Sequence, residues 1–353
     1  MTWRQWSKTI LDVFRPGRRR GQSAYARSRG QVSHVIILDG TMSSLSTGCE
    51  SNAGLAYKLL STVAGAELSL YYEAGIQWCD WRRAPDVITG KGINRQIRRA
   101  YGYLASRYRP GDKIYLMGYS RGAFAVRSLA GVIDRVGLLR AEEATERNIR
   151  TAYRHYQAGA GSAVTAEFAE AHCHEAIEIE MIGVWDTVKA LGFRMPIAWR
   201  WMAEAHAFHD HRLGASVRHG YHALALDETR RAFEPVLWET APGFEGKVEQ
   251  VWFRGTHGDV GGQLGGFDRA RPLSNISFVW MMERAESCGV ALPEGWKAYY
   301  EIDAQAPSVG TWRGWGKIFW FRKARDIGGD SSESVHPSAS QYDERLFNAE
   351  IAS

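Results

Sequence analysis

Cysteine is scarce in this 353-residue chain, with four at positions 49, 79, 173 and 288. Their separation fits neither a CxxC metal knuckle nor a compact disulfide framework, so they read as reduced, buried thiols. No stretch reaches the roughly 18 uninterrupted apolar residues of a spanning helix, which excludes an integral helical membrane protein. The first 30 residues hold no apolar h-region followed by a small-residue cleavage site; no Sec signal is expected, and synthesis in the cytosol is. No internal repeat or long low-complexity run occurs, setting aside solenoid, collagen and coiled-coil readings. What is present is the make-up of a globular protein, 45% hydrophobic and 24% charged. By length, one elaborated domain is favoured.

Apolar runs and helical periodicities alternate along the chain. Residues 34–38 form a near-continuous β-branched run ending in Asp39-Gly40-Thr41, as in a parallel strand buried on both faces. Helices are predicted over 52–60, 94–108 and 122–139, and further strands over 67–72, 113–117, 177–182 and 248–253. This alternation predicts an α/β fold with a mainly parallel sheet flanked by helices. The intervals 141–175 and 190–246 are too long for simple loops and carry helical patterns, so they are expected to be insertions forming a partial cap over a domain of residues 31–300. Residues 1–30 read as a basic, Trp-containing segment, and 301–353 as an aromatic and basic one.

The third strand runs into Gly118-Tyr119-Ser120-Arg121-Gly122 and then a helix, a G-x-S-x-G nucleophile elbow in the context that gives the motif meaning. A sharp strand-to-helix turn strains the nucleophile's backbone, and glycines two residues either side let strand and helix pass closely. Ser120 is therefore the candidate nucleophile. The Arg121 amide at the helix start is one oxyanion donor, and the amide of Gly40 or Thr41 after the first strand is the other.

A serine hydroxyl needs an imidazole to take its proton and a carboxylate to orient that imidazole. Asp186 follows the fourth predicted strand and His257 the fifth, giving the chain order Ser, Asp, His of α/β-hydrolases. Asp259 is an alternative acid, although its place two residues from His257 suits a cap better, and His336 is an alternative base because such histidines often come late. The histidines at 172 and 174, at 206, 209 and 211, and at 219 and 222 complete no recognisable ligand set, so no metal and no organic cofactor is expected.

Several blocks in this order resemble an α/β-hydrolase family associated with type VI secretion phospholipase effectors of the Tle class. They are Leu38-Asp-Gly-Thr41, Tyr72-Glu-Ala-Gly75, residues 110–123 around the elbow, Gly183-Val-Trp-Asp-Thr-Val188, residues 222–228, Phe233-Glu-Pro235 and residues 251–262. The resemblance implies a serine esterase or phospholipase acting on acyl esters of membrane lipids, exported by a specialised secretion system and met by a secretion or immunity partner. The chain departs from the family at Arg254, Thr256 and Gly258, where members often carry Pro, Val and Ser. A soluble carboxylesterase, or a catalytically silent scaffold that docks a membrane or complex, would share the same blocks.

The ends of the chain add a separate signal. Residues 2–14 place Trp3, Trp6, Ile10, Val13 and Phe14 on one side of a helix, followed by arginines. Residues 311–323 repeat the pattern with Trp312, Trp315 and Trp320 among Arg313, Lys317, Arg322 and Lys323, and Arg325 follows. Rings with cationic neighbours suit a lipid headgroup region, making these tryptophans candidate membrane contacts. No nucleic-acid motif accompanies the net charge of +5, and no nucleic-acid partner is expected.

Overall fold

A computed structural model describes residues 29–75, 91–188, 212–241, 243–312 and 321–339. Seven strands lie in one parallel sheet in the order β2-β1-β3-β4-β5-β6-β7. They are β1 (Ser33–Leu38), β2 (Leu68–Glu73), β3 (Lys113–Tyr119), β4 (Ile179–Trp185), β5 (Val217–Ala225), β6 (Lys247–Phe253) and β7 (Glu333–Val335). Among the described residues the α-helices are α1 (Asn52–Ser61), α2 (Lys91–Ala105), α3 (Arg121–Val136), α4 (Glu146–Gln157), α5 (Ala163–His172), α6 (His257–Gly261) and α7 (Arg271–Ser287).

The apolar runs of the central strands follow from burial on both faces. Ile36, Leu38, Ile114 and Leu116 pack with α2, α3 and α4, whereas Val35, Ile37, Tyr115 and Met117 pack with α1 and α7. Because β1 leads to α1 on one face and β3 to α3 on the other, the chain reverses direction between these adjacent strands. Thr41 and Ser120 stand at the carboxyl ends of these strands, the position at which open α/β sheets bind ligands.

Two expectations need correction. Residues 190–246 are not wholly a helical insertion, because they supply β5, a nine-residue strand paired on both sides. Its Arg218, His219, Gly220 and His222 break the apolar run by which a central strand is recognised, yet six of its residues from Gly220 on are buried. Residues 321–339 do not lie apart from the sheet either: Glu333–Val335 extend it beside β6, and the described residues from Gln31 onward belong to one compact unit. No helix among the described residues is long and apolar enough to cross a membrane.

Candidate active site

The turn from β3 to α3 holds Ser120 at φ 57° and ψ −120°, a conformation that favours glycine. Close packing imposes it. A Cβ on Gly122 would stand 2.1 Å from the Leu38 carbonyl oxygen, and one on Gly118 would stand 2.8 Å from the Gly122 backbone. Ser120 occupies the N-cap position of α3 without capping it. Its hydroxyl instead donates to His257 Nε2 at 2.9 Å, and among the described residues no partner takes the Arg121 amide.

His257 opens α6, and its Nδ1 donates to Asp186 Oδ2 at 2.6 Å. The ring lies between aromatics, with Tyr119 and Phe233 centroids 4.9 and 4.8 Å away. Asp186, directly after β4, also has positive φ, at 41°. Burial alone would raise its pKa, but Arg325 and His257 hold the carboxyl well below the usual carboxylate range. Of the residues singled out from sequence, Ser120, Asp186 and His257 meet; the two alternatives stand elsewhere. Asp259 accepts from the Thr256 amide and hydroxyl and from Ser308 and Val309, so it caps α6 and ties it to a later loop. His336 stacks on Phe253 with centroids 4.7 Å apart, and its Nδ1 meets the Ser338 hydroxyl.

The loop after β1 is fixed by Asp39, whose carboxylate accepts from the Ser51 and Tyr72 hydroxyls and from the Gly40 amide at 2.7 Å. The Gly40 amide is therefore already engaged, and the Thr41 amide has no partner among the described residues. Gly40 is needed for space, since a Cβ there would lie 2.8 Å from the Tyr119 ring and 3.2 Å from Ser120 Cβ.

Three supporting residues had no site role in the sequence reading. Arg325 spans both oxygens of Asp186, at 2.5 and 2.9 Å. Glu228 accepts from the His257 amide and is clasped by Arg230. His222, on β5, accepts the Thr187 amide at Nε2 and steadies the backbone beside Asp186. Burial, then the nearby Arg127 charge, pushes the His222 imidazole down to about 3. An unfolded chain takes up that proton near pH 6.5 but the folded chain does not, so stability falls as pH drops from about 6.5 toward about 3. Burial shifts His174 and His336 in the same direction. His222→Gln keeps an acceptor without a titrating ring, so its melting temperature is expected to fall less between pH 7 and pH 4 than the wild type's; an equal fall would contradict this assignment.

Trp312 is exposed, with the Arg322 guanidinium 3.7 Å above its ring. Arg322, expected within the lipid-facing stretch, is occupied by Trp312, Thr229 and the Thr311 carbonyl, and Arg325, which follows that stretch, by Asp186. Trp3, Trp6, Trp315 and Trp320 lie outside the described residues.

Comparison with known proteins gives this geometry a setting. The uncharacterized protein YEL023C of Saccharomyces cerevisiae is 26% identical over 234 residues, 59% of this chain and 33% of that protein. A crystal structure of an uncharacterized Pseudomonas aeruginosa protein aligns with a TM-score of 0.45 and 15% identity, covering 88% of this chain and 55% of that one. The Tle1 effector, bound to the VgrG spike of the type 6 secretion system, aligns with a TM-score of 0.32 and 16% identity, covering 66% and 51%. This chain thus spans from a third to about half the length of these relatives. Residues 33–284 match the model of the type VI secretion phospholipase effector Tle1-like catalytic domain, and the chain belongs to that family.

Proposed function

We propose that this chain is a serine lipase that cleaves carboxylic esters of membrane phospholipids. The observation that carries the reading is the continuous relay from Ser120 Oγ through His257 to Asp186, at 2.9 and 2.6 Å, in a Tle1-like catalytic domain. Ser120 attacks the ester carbonyl as His257 Nε2 takes its proton, and the oxyanion is held by the Arg121 and Thr41 amides. Collapse breaks the ester C–O bond, and His257 returns the proton to the departing alcohol. Water then attacks the acyl-enzyme with His257 as base, releasing the fatty acid and restoring Ser120. Asp186 holds the imidazole in the required tautomer throughout.

A phosphate-bearing substrate suits the ground beside the nucleophile. The Arg121 guanidinium is half-buried, has no ion pair or hydrogen bond among the described residues, and is pushed down to about 10 by burial. Membrane contact is assigned to Trp312 and Phe321, 62% and 74% exposed at either end of 313–320, together with Trp3, Trp6, Trp315 and Trp320. Export through a type VI spike, as with the VgrG-bound Tle1 effector, and a matching immunity protein complete the reading.

The test is fatty-acid release from mixed zwitterionic and anionic phospholipid vesicles, with a soluble short-chain ester in parallel. Ser120-dependent release from vesicles is expected. Turnover of the soluble ester alone would make the chain a carboxylesterase, and turnover of neither would make it a scaffold. Burying an aromatic side chain contributes about 1.5–3 kcal/mol, so Trp312→Ser with Phe321→Ser should lower vesicle hydrolysis at least about tenfold more than ester hydrolysis. Equal effects on the two substrates would remove these rings from the membrane contact.

A further inference from the structure

Arg325 lies beyond the residues matched by the family model, in a stretch held across the site by bonds from Lys323 N–H to the Thr229 carbonyl and from Arg231 N–H to the Phe321 carbonyl. Its side chain is 4% exposed. Nη1 donates to Asp186 Oδ1 at 2.5 Å and to the Ala225 carbonyl at 2.7 Å, while Nη2 donates to Asp186 Oδ2 at 2.9 Å and to the Phe233 carbonyl at 2.6 Å. The Ala225 amide also donates to Asp186 Oδ1, at 3.0 Å. Each carboxylate oxygen therefore has two donors, and on Oδ2 they are the guanidinium and the His257 ring.

We propose that Arg325 is a positioning residue of the triad, which fixes the plane of the Asp186 carboxylate for His257 and opposes uptake of a solvent proton by the imidazole, keeping the base free toward acidic pH. The proposal rests on the Ser120–His257–Asp186 reading above. A lone buried carboxylate stabilises an imidazolium beside it. Here the same carboxylate is shared with a buried cation, so protonating the ring places a second positive charge on Oδ2, where water and salt screen it poorly. Catalytic proton transfer escapes much of this penalty, because imidazolium and oxyanion form together and their charges balance.

Among the described residues, the other ionisable groups near the pair have these partners. Glu228, on the loop after β5, is matched by Arg230. Burial keeps the Tyr119 phenol of β3 neutral, and its hydroxyl donates to the His257 carbonyl. His222 on β5 is neutral, with the half-buried Arg127 of α3 bonded to the Val236 and Leu237 carbonyls. Asp39 after β1 and Asp259 on α6 are saturated by the donors described above.

The test is kcat/KM against pH for the soluble ester in wild type, R325K, R325Q and R325M, with folding checked by thermal unfolding; Met preserves the apolar stem should the Gln variant not fold. Both neutral variants are expected to lose activity on the acid side about one pH unit higher than wild type, consistent with the effect of one nearby charge. R325K keeps the charge but not the planar fork, so its plateau falls about tenfold while its acid limb stays in place. A wild-type acid limb in the folded neutral variants, or a limb displaced as far in R325K, would overturn the proposal and leave a structural clamp. Absence of Ser120-dependent turnover in the wild type would instead overturn the triad reading, and this proposal with it.

Discussion

Ser120→Ala is expected to lower kcat by about a millionfold, to the background left by the oxyanion donors and substrate binding. Its effect on stability should be small, within about 1 kcal/mol, because one hydrogen bond is lost and alanine keeps the same strained backbone. Ser120→Gly sharpens the comparison. At φ 57° and ψ −120° a Cβ is strained, so glycine should be equally inactive yet more stable, by about 1 kcal/mol. Paired kinetics and thermal unfolding check both statements. If either variant turned over ester at the wild-type rate, Ser120 would not be the nucleophile.

Asp186→Asn should behave differently, losing activity and stability together. The amide leaves His257 without an anionic partner and favours the wrong tautomer, a change worth about 10⁴ in kcat in a triad of this type. It also leaves the Arg325 cation buried without its counter-charge, and breaking a buried pair on one side costs about 3–5 kcal/mol. Urea unfolding and ester kinetics on one preparation measure the two losses. Asp259→Asn, by contrast, loosens the α6 cap and its ties to Ser308 and Val309, so it should destabilise the fold without removing the acid. A catalytically intact Asp186→Asn would transfer the acid's role away from Asp186.

Much of the fold and the three central side chains could be read locally. Ser120 and Asp186 directly follow their strands and His257 follows the end of β6 after three intervening residues, and a parallel sheet delivers the residues after its strands to one edge. The glycines of the elbow were legible for the same reason, since their spacing describes a close strand-to-helix passage that Gly118 and Gly122 make. β5 was not legible, because in Val217–Ala225 polar residues are accepted by specific partners: His219 Nδ1 meets the Glu180 carbonyl and His222 the Thr187 amide. Those two histidines are strand residues with backbone partners. β7 is three residues long and carries no period. Arg325 gave no local sign of its partner: it sits in a basic stretch, and its carboxylate lies 139 positions away. Composition near the chain's end suggested a surface, while the tertiary fold turned one of its arginines inward.

The most direct measurement of the central claim is labelling of the folded chain with a fluorophosphonate, with the modified peptide located by mass spectrometry in wild type and Ser120→Ala. Such probes capture a serine only when a neighbouring base and oxyanion donors activate it. One adduct on Ser120 in the wild type, absent from Ser120→Ala, is the predicted result. No adduct on folded wild type, or labelling undiminished in Ser120→Ala, would contradict an activated Ser120.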